Sequence, residues 1–280
     1  MRELRGKVAF ITGGASGIGL AMARAFGREG MSVMLVDIEA APLQLAVEEL
    51  RAIQVKAEGV VADVTRRDSL RAAALETVAR FGKVHVVCNN AGVGAGGALG
   101  TVPEKDWNWV VDVNLLGVVH GMEILTPLIA SHGEGGHFVN TASMAGMNGG
   151  LGFSPYVASK FAVVGMSEGL ATQLKPLGIG VSVLCPGFVR TGIGESGRNR
   201  PERYGETQTP DPASPAGQLL AYIAERLRTG LDPSEVAARV VSAIRGDELY
   251  VFTHPEMRGE VEERFAAIMA ALDKAESDRS

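Results

Sequence analysis

The chain has 280 residues, of which 46% are hydrophobic and 21% charged, with a formal net charge of -5 at pH 7. This balance is typical of a globular protein and excludes a disordered chain. Acidic and basic residues are mixed along the sequence without a basic stripe or an acidic tail, so nucleic-acid binding is not expected.

The two cysteines, Cys88 and Cys185, each lie in an apolar run. Two cysteines cannot form a disulfide framework, so we expect buried free thiols in a reduced compartment. The opening MRELRGKVAFITGG is neither a signal h-region nor a membrane span, and no other uncharged apolar run approaches ~20 residues. A soluble, cytoplasmic protein without a membrane partner is therefore expected.

Short β-branched runs alternate with longer helical patterns along the chain. In the first part, strands are predicted at 7–12, 32–37, 58–64 and 83–92, with helices at 17–30, 41–53 and 66–82. Further on, helices are predicted at 104–131, 155–175, 232–245 and about 256–274, with strands at 136–142, 180–187 and 248–254. The alternation predicts an α/β fold, a doubly wound, Rossmann-like parallel sheet with helices on both faces.

A polar, Gly- and Pro-rich region, about 190–230, interrupts this alternation. Loops of that length inside compact domains are usually functional or mobile. We find no internal repeat and no convincing linker, so we predict a single domain over 1–280, with 190–230 as an insertion over its edge.

The segment ITGGASGIGLA (11–21) places Gly13, Gly17 and Gly19 between the first strand and the first helix. Glycines at such a turn let the backbone approach a pyrophosphate, which binds the exposed N–H groups of the helix N-terminus. The spacing differs from the common G-x-G-x-x-G, so the strand before it and the helix after it are what indicate a dinucleotide site.

Asp37 ends the second predicted strand, 18 residues after Gly19. A carboxylate there can accept hydrogen bonds from both hydroxyls of the adenosine ribose, and it repels a 2′-phosphate. No arginine or lysine occupies 13–23 or 38–40 to neutralise such a phosphate. The pattern favours NAD over NADP, the alternative being that Asp37 is a solvated residue at a strand end.

The segment SPYVASKFA (154–162) begins with Ser154, a residue that can cap a helix, and a proline suited to the first helical position. Tyr156 and Lys160 then share one helix face, ~6 Å apart along the axis. A fixed ammonium favours the phenolate of a tyrosine whose free pKa is ~10, so Tyr156 can exchange a proton with a substrate. Taken alone, a Y-x-x-x-K pair is common on solvated helices.

Six motifs occur in order over about residues 5–254: TGGASGIG (12–19), NNAG (89–92), VNLLG (113–117), Ser143, YVASK (156–160) and PGFVRT (186–191). Together they resemble the short-chain dehydrogenase/reductase family. The resemblance implies an NAD-dependent alcohol dehydrogenase or carbonyl reductase that transfers a hydride between a secondary alcohol or ketone and the nicotinamide cofactor.

The resemblance also implies the roles of individual residues. Ser143 would hold the substrate oxygen, Lys160 would also bind the nicotinamide ribose, and Asn114 would bind a water leading from Lys160 towards solvent. The implied catalytic residues are Asn114, Ser143, Tyr156 and Lys160. The implied cofactor-binding residues are Thr12, Gly13, Ser16, Gly17, Ile18, Gly19, Asp37, Asp63, Val64, Asn90, Gly92, Tyr156, Lys160, Gly187, Val189 and Thr191.

The substrate pocket is expected between 93–97, 144–153 and the region after Pro186. Small residues there leave room, and the apolar side chains suit a bulky or aromatic substrate, unless the glycines only make turns. The expected apolar surfaces are Met144, Met147, Leu151 and Phe153.

We predict that the insertion is a substrate lid, and three arginines occur in it. They either meet a substrate carboxylate or form a solvated face with neighbouring acidic residues, and the second interpretation is favoured. The arginines are Arg198, Arg200 and Arg203, and the neighbouring acids are Glu195, Glu202 and Glu206.

The stretches 195–206 and 248–272 also resemble, more loosely, a subgroup that includes bacterial Cα-dehydrogenases of lignin-derived aryl ethers. Those enzymes oxidise benzylic alcohols with NAD. The resemblance favours a bulky aryl carbinol as the small-molecule substrate.

Two hypotheses of other classes remain at this point, a non-catalytic NAD-binding sensor or scaffold and an epimerase or dehydratase on the same fold. His85, His120 and His137 lack metal-ligand spacing, so no metal site is predicted. The helices at 104–131 and 155–175 are apolar nearly all round, and such helices are buried on both sides. We therefore predict a homodimer or homotetramer.

Overall fold

The computed structural model describes residues 1–96, 100–149, 154–206 and 210–278. Its strands are β1 (Val8–Thr12), β2 (Ser32–Asp37), β3 (Ala57–Val61), β4 (Val86–Asn89), β5 (Gly136–Thr141), β6 (Ile179–Cys185) and β7 (Tyr250–Phe252). They form one parallel sheet in the order β3-β2-β1-β4-β5-β6-β7. The predicted doubly wound α/β fold is confirmed.

Helices connect these strands. They are α1 (Gly17–Arg28), α2 (Ala40–Ala52), α3 (Arg67–Phe81), α4 (Glu104–Val111), α5 (Gly117–His132), α6 (Pro155–Leu174), α7 (Pro215–Arg228), α8 (Pro233–Gly246) and α9 (Arg258–Ser277). A π-helical segment, Asp112–Leu116, joins α4 to α5, where one continuous helix was predicted. Helix α7 lies inside the region 190–230, where no helix was predicted, although Ser214 caps it and Pro215 starts it.

The strands read as continuous apolar runs because both faces of the sheet are covered. In β1, Ala9 and Ile11 pack into a cluster with α1, α2 and α8. Phe10, between them, packs into a second cluster with α3, α5 and α6 on the other face. Successive side chains of a strand point to opposite faces, so each face needs its own apolar set.

The strand order reverses between β1 and β4, which are neighbours although β2 and β3 lie between them in the chain. In open parallel sheets a crevice forms at such a point, outside the carboxyl ends of the strands. The ends of β1 and β4 carry the glycine turn and the motif NNAG. The topology thus brings together two motifs that are more than seventy residues apart in sequence.

Both cysteines are free and buried, as predicted. Within the described part of the chain, one helical stretch, Glu104–His132, is long and apolar enough to cross a membrane by length and composition alone. Half of its most apolar window is buried inside the fold, and it packs against α3, α6 and β4, as a core helix does.

His137 is fully buried in β5, where its Nε2 donates a hydrogen bond to the Ser182 hydroxyl at 2.8 Å. Its Nδ1 has no hydrogen-bond partner in the described structure and lies 3.8 Å from an Asp247 carboxylate oxygen. Burial lowers the pKa of His137 from 6.5 to about 4, and the attraction of Asp247 only partly offsets this. The imidazole is therefore neutral at pH 7.

We expect His137 to make the protein sensitive to acid. The unfolded chain takes up this proton near pH 6.5 and the folded protein only near pH 4, so stability falls as pH decreases between these values. The loss at this site is about 3 kcal/mol, from about 1.4 kcal/mol per unit of pKa. Urea unfolding across this range should be less pH-dependent for His137→Gln than for the wild type, and identical slopes would contradict the prediction.

Candidate active site

The turn between β1 and α1 has room for backbone only. Gly13 and Gly17 have φ angles of +63° and +53°, which side-chain-bearing residues rarely adopt. A Cβ on Gly19 would lie 2.1 Å from the Gly13 carbonyl oxygen. Because the turn is this tight, α1 begins at the crevice, and the first N–H groups of a helix have no acceptor within it. The turn therefore fits the pyrophosphate of a dinucleotide.

Thr12 and Asn90 join the carboxyl ends of β1 and β4. The Thr12 hydroxyl accepts hydrogen bonds from the backbone N–H groups of Asn90, at 2.9 Å, and Ala91, at 3.1 Å. The Asn90 amide donates to the Thr12 carbonyl at 3.0 Å. Both side chains thus shape the crevice, while Ser16 is exposed and Ile18 half-buried at the start of α1.

Asp37 lies at the end of β2, at the place predicted for the adenosine ribose. Its carboxylate accepts hydrogen bonds from the backbone N–H groups of Ala15, at 3.0 Å, and Glu39, at 3.1 Å. Burial raises the pKa of Asp37, and these two hydrogen bonds oppose the rise. The bond to Ala15 connects the strand end to the glycine turn, so the two predicted cofactor elements are one structural unit.

Asp63 and Val64 follow β3 at the next position along the crevice edge. The Asp63 carboxylate accepts hydrogen bonds from the Thr65 hydroxyl, at 2.6 Å, and from Arg203, at 3.0 Å. Partial burial acts to raise the pKa of Asp63, but the hydrogen bonds from Thr65 and Arg203 together lower it. The Val64 carbonyl accepts a hydrogen bond from His120 at 3.0 Å, which ties this turn to α5.

Tyr156 and Lys160 lie on one face of α6, with the Lys160 Nζ 5.5 Å from the centre of the Tyr156 ring. The predicted start of this helix is confirmed, because Ser154 accepts a hydrogen bond from the Val157 N–H and Pro155 occupies the first turn. Lys160 is buried and donates a hydrogen bond to the Thr141 carbonyl at 2.8 Å. The two side chains therefore share one compartment.

Burial dominates the electrostatics of this pair. It lowers the pKa of Lys160 to about 8. It also raises the pKa of Tyr156, against a hydrogen bond with Ser143 that lowers it. The lowered tyrosine pKa expected from the sequence is thus not found, because desolvation of the phenolate outweighs the hydrogen bond with Ser143.

Ser143 follows β5 and is buried beside Tyr156. Its hydroxyl caps a short 3-10 turn by accepting a hydrogen bond from the Ala145 N–H at 3.1 Å, and it donates to the Pro186 carbonyl at 3.3 Å. These bonds hold the oxygen in place. Fixed hydroxyls of this kind stabilise charge on a substrate oxygen.

Asn114 lies in the π-helical segment and is fully buried. Its side chain accepts a hydrogen bond from the Val93 N–H at 2.8 Å and donates to the Val93 carbonyl at 2.9 Å. A Cβ on Gly92 would lie 3.5 Å from Asn114 Oδ1 and 3.7 Å from Lys160 Nζ. Asn114, Gly92 and Lys160 therefore meet at one point, and π-helical turns of this kind are frequent at functional sites.

The chain after β6 crosses the crevice. Gly187 donates its N–H to His254 Nδ1 at 3.0 Å, while Val189 is buried and pairs with Leu231. Thr191 then lies over the glycine turn, with its methyl group 3.1 Å from a Cβ placed on Gly17. All three predicted residues of PGFVRT thus follow the crevice from β6 to α1.

Residues 192–206, called the strap below, continue across the ends of β2 and β3. The prediction that its arginines pair with neighbouring acids of the insertion is wrong. Each arginine instead reaches a carboxylate on a distant element, so the strap is fastened to the rest of the protein. The pairs are Arg198 with Glu39, Arg200 with Asp106, and Arg203 with Asp63.

The substrate pocket differs from the prediction at two methionines. Met144 and Met147 are buried in the core between the sheet and α6 rather than exposed to a pocket. Leu151, Phe153 and Gly97 lie outside the described residues. Tyr156 packs against an apolar cluster that includes Val93, Ala95 and Tyr204 from the predicted regions. Sequence reasoning missed its other members from the helix before Asn114, which are Trp109, Val110 and Val113.

His254 is a further residue that sequence reasoning missed. It accepts a hydrogen bond from the Gly187 N–H through Nδ1, and its Nε2 donates to the Phe188 carbonyl at 3.1 Å. It thereby holds the backbone of PGFVRT in place from the end of β7. A histidine at the end of the strand predicted at 248–254 gave no sign of this role, because the contact is non-local.

A cluster of His85, His132 and Glu134 has three possible metal-ligand atoms within 4.8 Å of one another. Each imidazole already uses both nitrogens in hydrogen bonds within the protein. Lys7 and Lys83 also bind the Glu134 carboxylate. This cluster is therefore a hydrogen-bonded structural network at the amino end of the sheet, in which neither imidazole has a nitrogen lone pair available for a metal ion.

Known proteins match the whole of this architecture. The family model described as short chain dehydrogenase matches residues 7–202. The C alpha-dehydrogenase of Sphingobium sp. is 34% identical over 279 residues, covering 99% of this chain and 90% of that protein. A short-chain dehydrogenase/reductase from Burkholderia phymatum, solved in complex with NAD, has 38% identity and a TM-score of 0.92 over 97% of both chains.

A solved actinorhodin polyketide ketoreductase with NADPH has 31% identity and a TM-score of 0.74, covering 91% of this chain and 98% of that one. The fold and these relatives define an oxidoreductase that transfers a hydride between a secondary alcohol or ketone and a nicotinamide cofactor. The chain belongs to the short chain dehydrogenase family. The predicted family, enzyme class and resemblance to Cα-dehydrogenases are confirmed.

Proposed function

We propose that this protein is an NAD-dependent dehydrogenase of bulky, aryl-substituted secondary alcohols, and that it acts as a cytoplasmic homo-oligomer. The observation that carries the proposal is the common compartment of Ser143, Tyr156 and Lys160 beside a crevice whose far end holds Asp37. We further propose that 1–280 form one domain and that 190–230, including the strap, is the substrate lid.

The side chains divide the chemistry as follows. Ser143 holds the substrate oxygen, and Tyr156 removes the hydroxyl proton during oxidation or returns it during reduction. Lys160 places a positive charge near the phenol and stabilises its ionised form. Asn114 holds the turn at Val93 against this centre. When bound, the nicotinamide supplies the position that accepts or donates the hydride.

Because burial raises the pKa of Tyr156, we infer that a further positive charge nearby favours formation of its phenolate. The oxidised cofactor carries such a charge, and the reduced form does not. Alcohol oxidation should therefore become faster as pH rises, since it needs the proton-accepting form of Tyr156, whereas ketone reduction should become faster as pH falls.

A substrate panel tests the proposed function. The purified protein is given NAD⁺ or NADP⁺ with aryl-ether carbinols, simple secondary alcohols, sugars and steroids, and formation of the reduced nicotinamide is followed by absorbance. We expect the highest kcat/KM for an aryl carbinol with NAD⁺. A preference for NADP⁺, or for small aliphatic alcohols, would reject the corresponding part of the proposal.

Cofactor choice gives a separate prediction for Asp37. The carboxylate would accept hydrogen bonds from the ribose hydroxyls and repel a 2′-phosphate. Asp37→Ala should therefore weaken NAD⁺ binding by about tenfold or more, since a single hydrogen bond to a charged group contributes about 1.5 kcal/mol at least. Discrimination against NADP⁺ should decrease in the same variant. Equal wild-type rates with both cofactors would contradict this interpretation.

The outer face of α6 supports the proposed oligomer. Gly165 and Gly169 are exposed and have open space beyond them, and Phe161 and Leu170 beside them are only half-buried. A flat, small-residue face of this kind allows a second helix to approach closely. Light scattering should therefore give a mass of two or four times 29.4 kDa, and a single-chain mass would contradict the prediction.

A further inference from the structure

The strap brings a positive charge to the end of β2, where the local sequence has none. Arg198 donates hydrogen bonds through Nε and Nη2 to the two carboxylate oxygens of Glu39, both at 3.1 Å. Its Nη1 donates to the carbonyl groups of Gly192 and Glu195, both at 3.0 Å. All three nitrogens of the guanidinium are thus in use within the protein.

Glu39 lies beside the residue proposed to bind the adenosine ribose. Its backbone N–H donates to the Asp37 carboxylate at 3.1 Å. Its side chain also accepts a hydrogen bond from Asn199 at 3.0 Å. The Arg198–Glu39 pair is therefore held next to Asp37, at the position that a ribose 2′-phosphate would approach.

An arginine at this position would ordinarily favour a phosphate. A guanidinium binds phosphate through two parallel hydrogen bonds, and an arginine near the ribose is the usual means of accommodating a 2′-phosphate. Here the same donor pair is already bound to a carboxylate. The Glu39 carboxylate matches the geometry of the guanidinium, and the strap carbonyls bind the third nitrogen of Arg198. Arg198 is therefore not available to bind a phosphate.

We propose that Glu39 is a specificity-determining residue that excludes NADP by keeping Arg198 from the 2′-phosphate. This inference rests on the proposed NAD-dependent function and adds a second determinant to Asp37. Asp37 acts by its own charge, whereas Glu39 acts through a residue that is 159 positions away in sequence. Removing the Glu39 charge converts Arg198 into a phosphate-binding group.

A double-mutant cycle tests this inference by direct binding of NADPH and NADH, measured from nicotinamide fluorescence without substrate. The variants are Glu39→Gln, Arg198→Gln and the double mutant. We expect Glu39→Gln to bind NADPH about tenfold more tightly than the wild type, because one charge-assisted pair becomes available. In the double mutant this gain should disappear, while Arg198→Gln alone should change NADPH binding by less than about twofold.

Glu39→Asp distinguishes two ways in which Glu39 could exclude NADP, by repelling the 2′-phosphate with its own charge or by binding Arg198. It keeps the negative charge but shortens the side chain by one methylene, so that Arg198 loses its two-point contact. Tighter NADPH binding by Glu39→Asp than by the wild type also supports release of Arg198. The gain in Glu39→Gln should decrease with added salt, since the Arg198 side chain is 40% exposed.

Glu248→Gln is the matched control, because Glu248 forms the same kind of two-point pair with Arg239 of α8, outside the proposed lid. It should leave binding of both cofactors unchanged. If Arg198→Gln has the same effect in the wild-type protein as in the Glu39→Gln variant, the inference is overturned. If the wild type binds NADH tightly but the cycle shows no coupling between Glu39 and Arg198 in NADPH binding, only this inference is rejected. If the wild type prefers NADPH, the proposed function is rejected.

Discussion

Replacing Tyr156 by phenylalanine should lower kcat/KM for alcohol oxidation by about 10³-fold, within the range for loss of a general acid–base group. The substitution removes one hydroxyl from a buried ring that lies 5.5 Å from the Lys160 ammonium. In the proposed mechanism this hydroxyl is the group that exchanges a proton with the substrate oxygen bound by Ser143. Steady-state rates with the best alcohol of the panel provide the measurement.

Two controls make the Tyr156→Phe result specific. Binding of NADH should remain within about threefold of the wild-type value, because only one hydroxyl is lost and the ring keeps its packing. Tyr250→Phe removes the hydroxyl of a tyrosine that bonds Glu168 on the protein surface, and it should retain full activity. More than a tenth of wild-type activity in Tyr156→Phe would reject Tyr156 as the proton-transfer residue.

Replacing Lys160 by methionine should abolish most activity and at the same time stabilise the cofactor-free protein. Burial lowers the pKa of Lys160 from 10.5 to about 8, which corresponds to a cost of about 3 kcal/mol for the charged form at pH 7. Methionine fills a similar volume without a charge. It leaves the Thr141 carbonyl unbonded, at a cost of about 1 kcal/mol, so the net gain in unfolding free energy should be about 2 kcal/mol.

The pH dependence of stability identifies the cause of this gain. Between pH 8 and 10.5 the unfolded chain still binds the Lys160 proton and the folded protein has lost it, so wild-type stability rises with pH in this range. The stability of Lys160→Met should not rise with pH in this range, because the variant has no amine at this position. Lys56→Gln, at an exposed position, is the control and should retain both the rise and the activity.

Loss of activity in Lys160→Met should be about 10²- to 10³-fold, since the variant keeps Tyr156 but loses the charge that favours its phenolate. If Lys160→Met is less stable than the wild type at pH 7, Lys160 stabilises the fold and the prediction is wrong. A stabilised but inactive variant would show that the buried ammonium is retained for catalysis at the expense of stability.

Local patterns in the sequence predicted much of this architecture correctly. The apolar runs at 7–12 and 32–37 became β1 and β2 almost residue for residue, because a strand buried on both faces must be apolar throughout. The glycine turn and the helix start at Ser154 were also readable, since backbone conformation and helix capping are decided by residues within one turn of each other.

Contacts between distant elements were not readable in this way. Arg198 stands among Glu195 and Glu202 in sequence, yet it pairs with Glu39, because the fold carries the chain after β6 across the crevice to the end of β2. Met144 has the same apolar side chain whether it lines a pocket or packs in the core, and the path of the chain after Ser143 buries it.

The raised pKa of Tyr156 has the same origin. Sequence spacing places Lys160 one helical turn away, and that distance alone predicts a lowered pKa. Whether attraction or desolvation prevails depends on how much water the surrounding elements remove, and α6 is covered here by the sheet and the π-helical segment. Neighbouring residues in the chain thus establish which groups meet, while burial by distant elements establishes their charge.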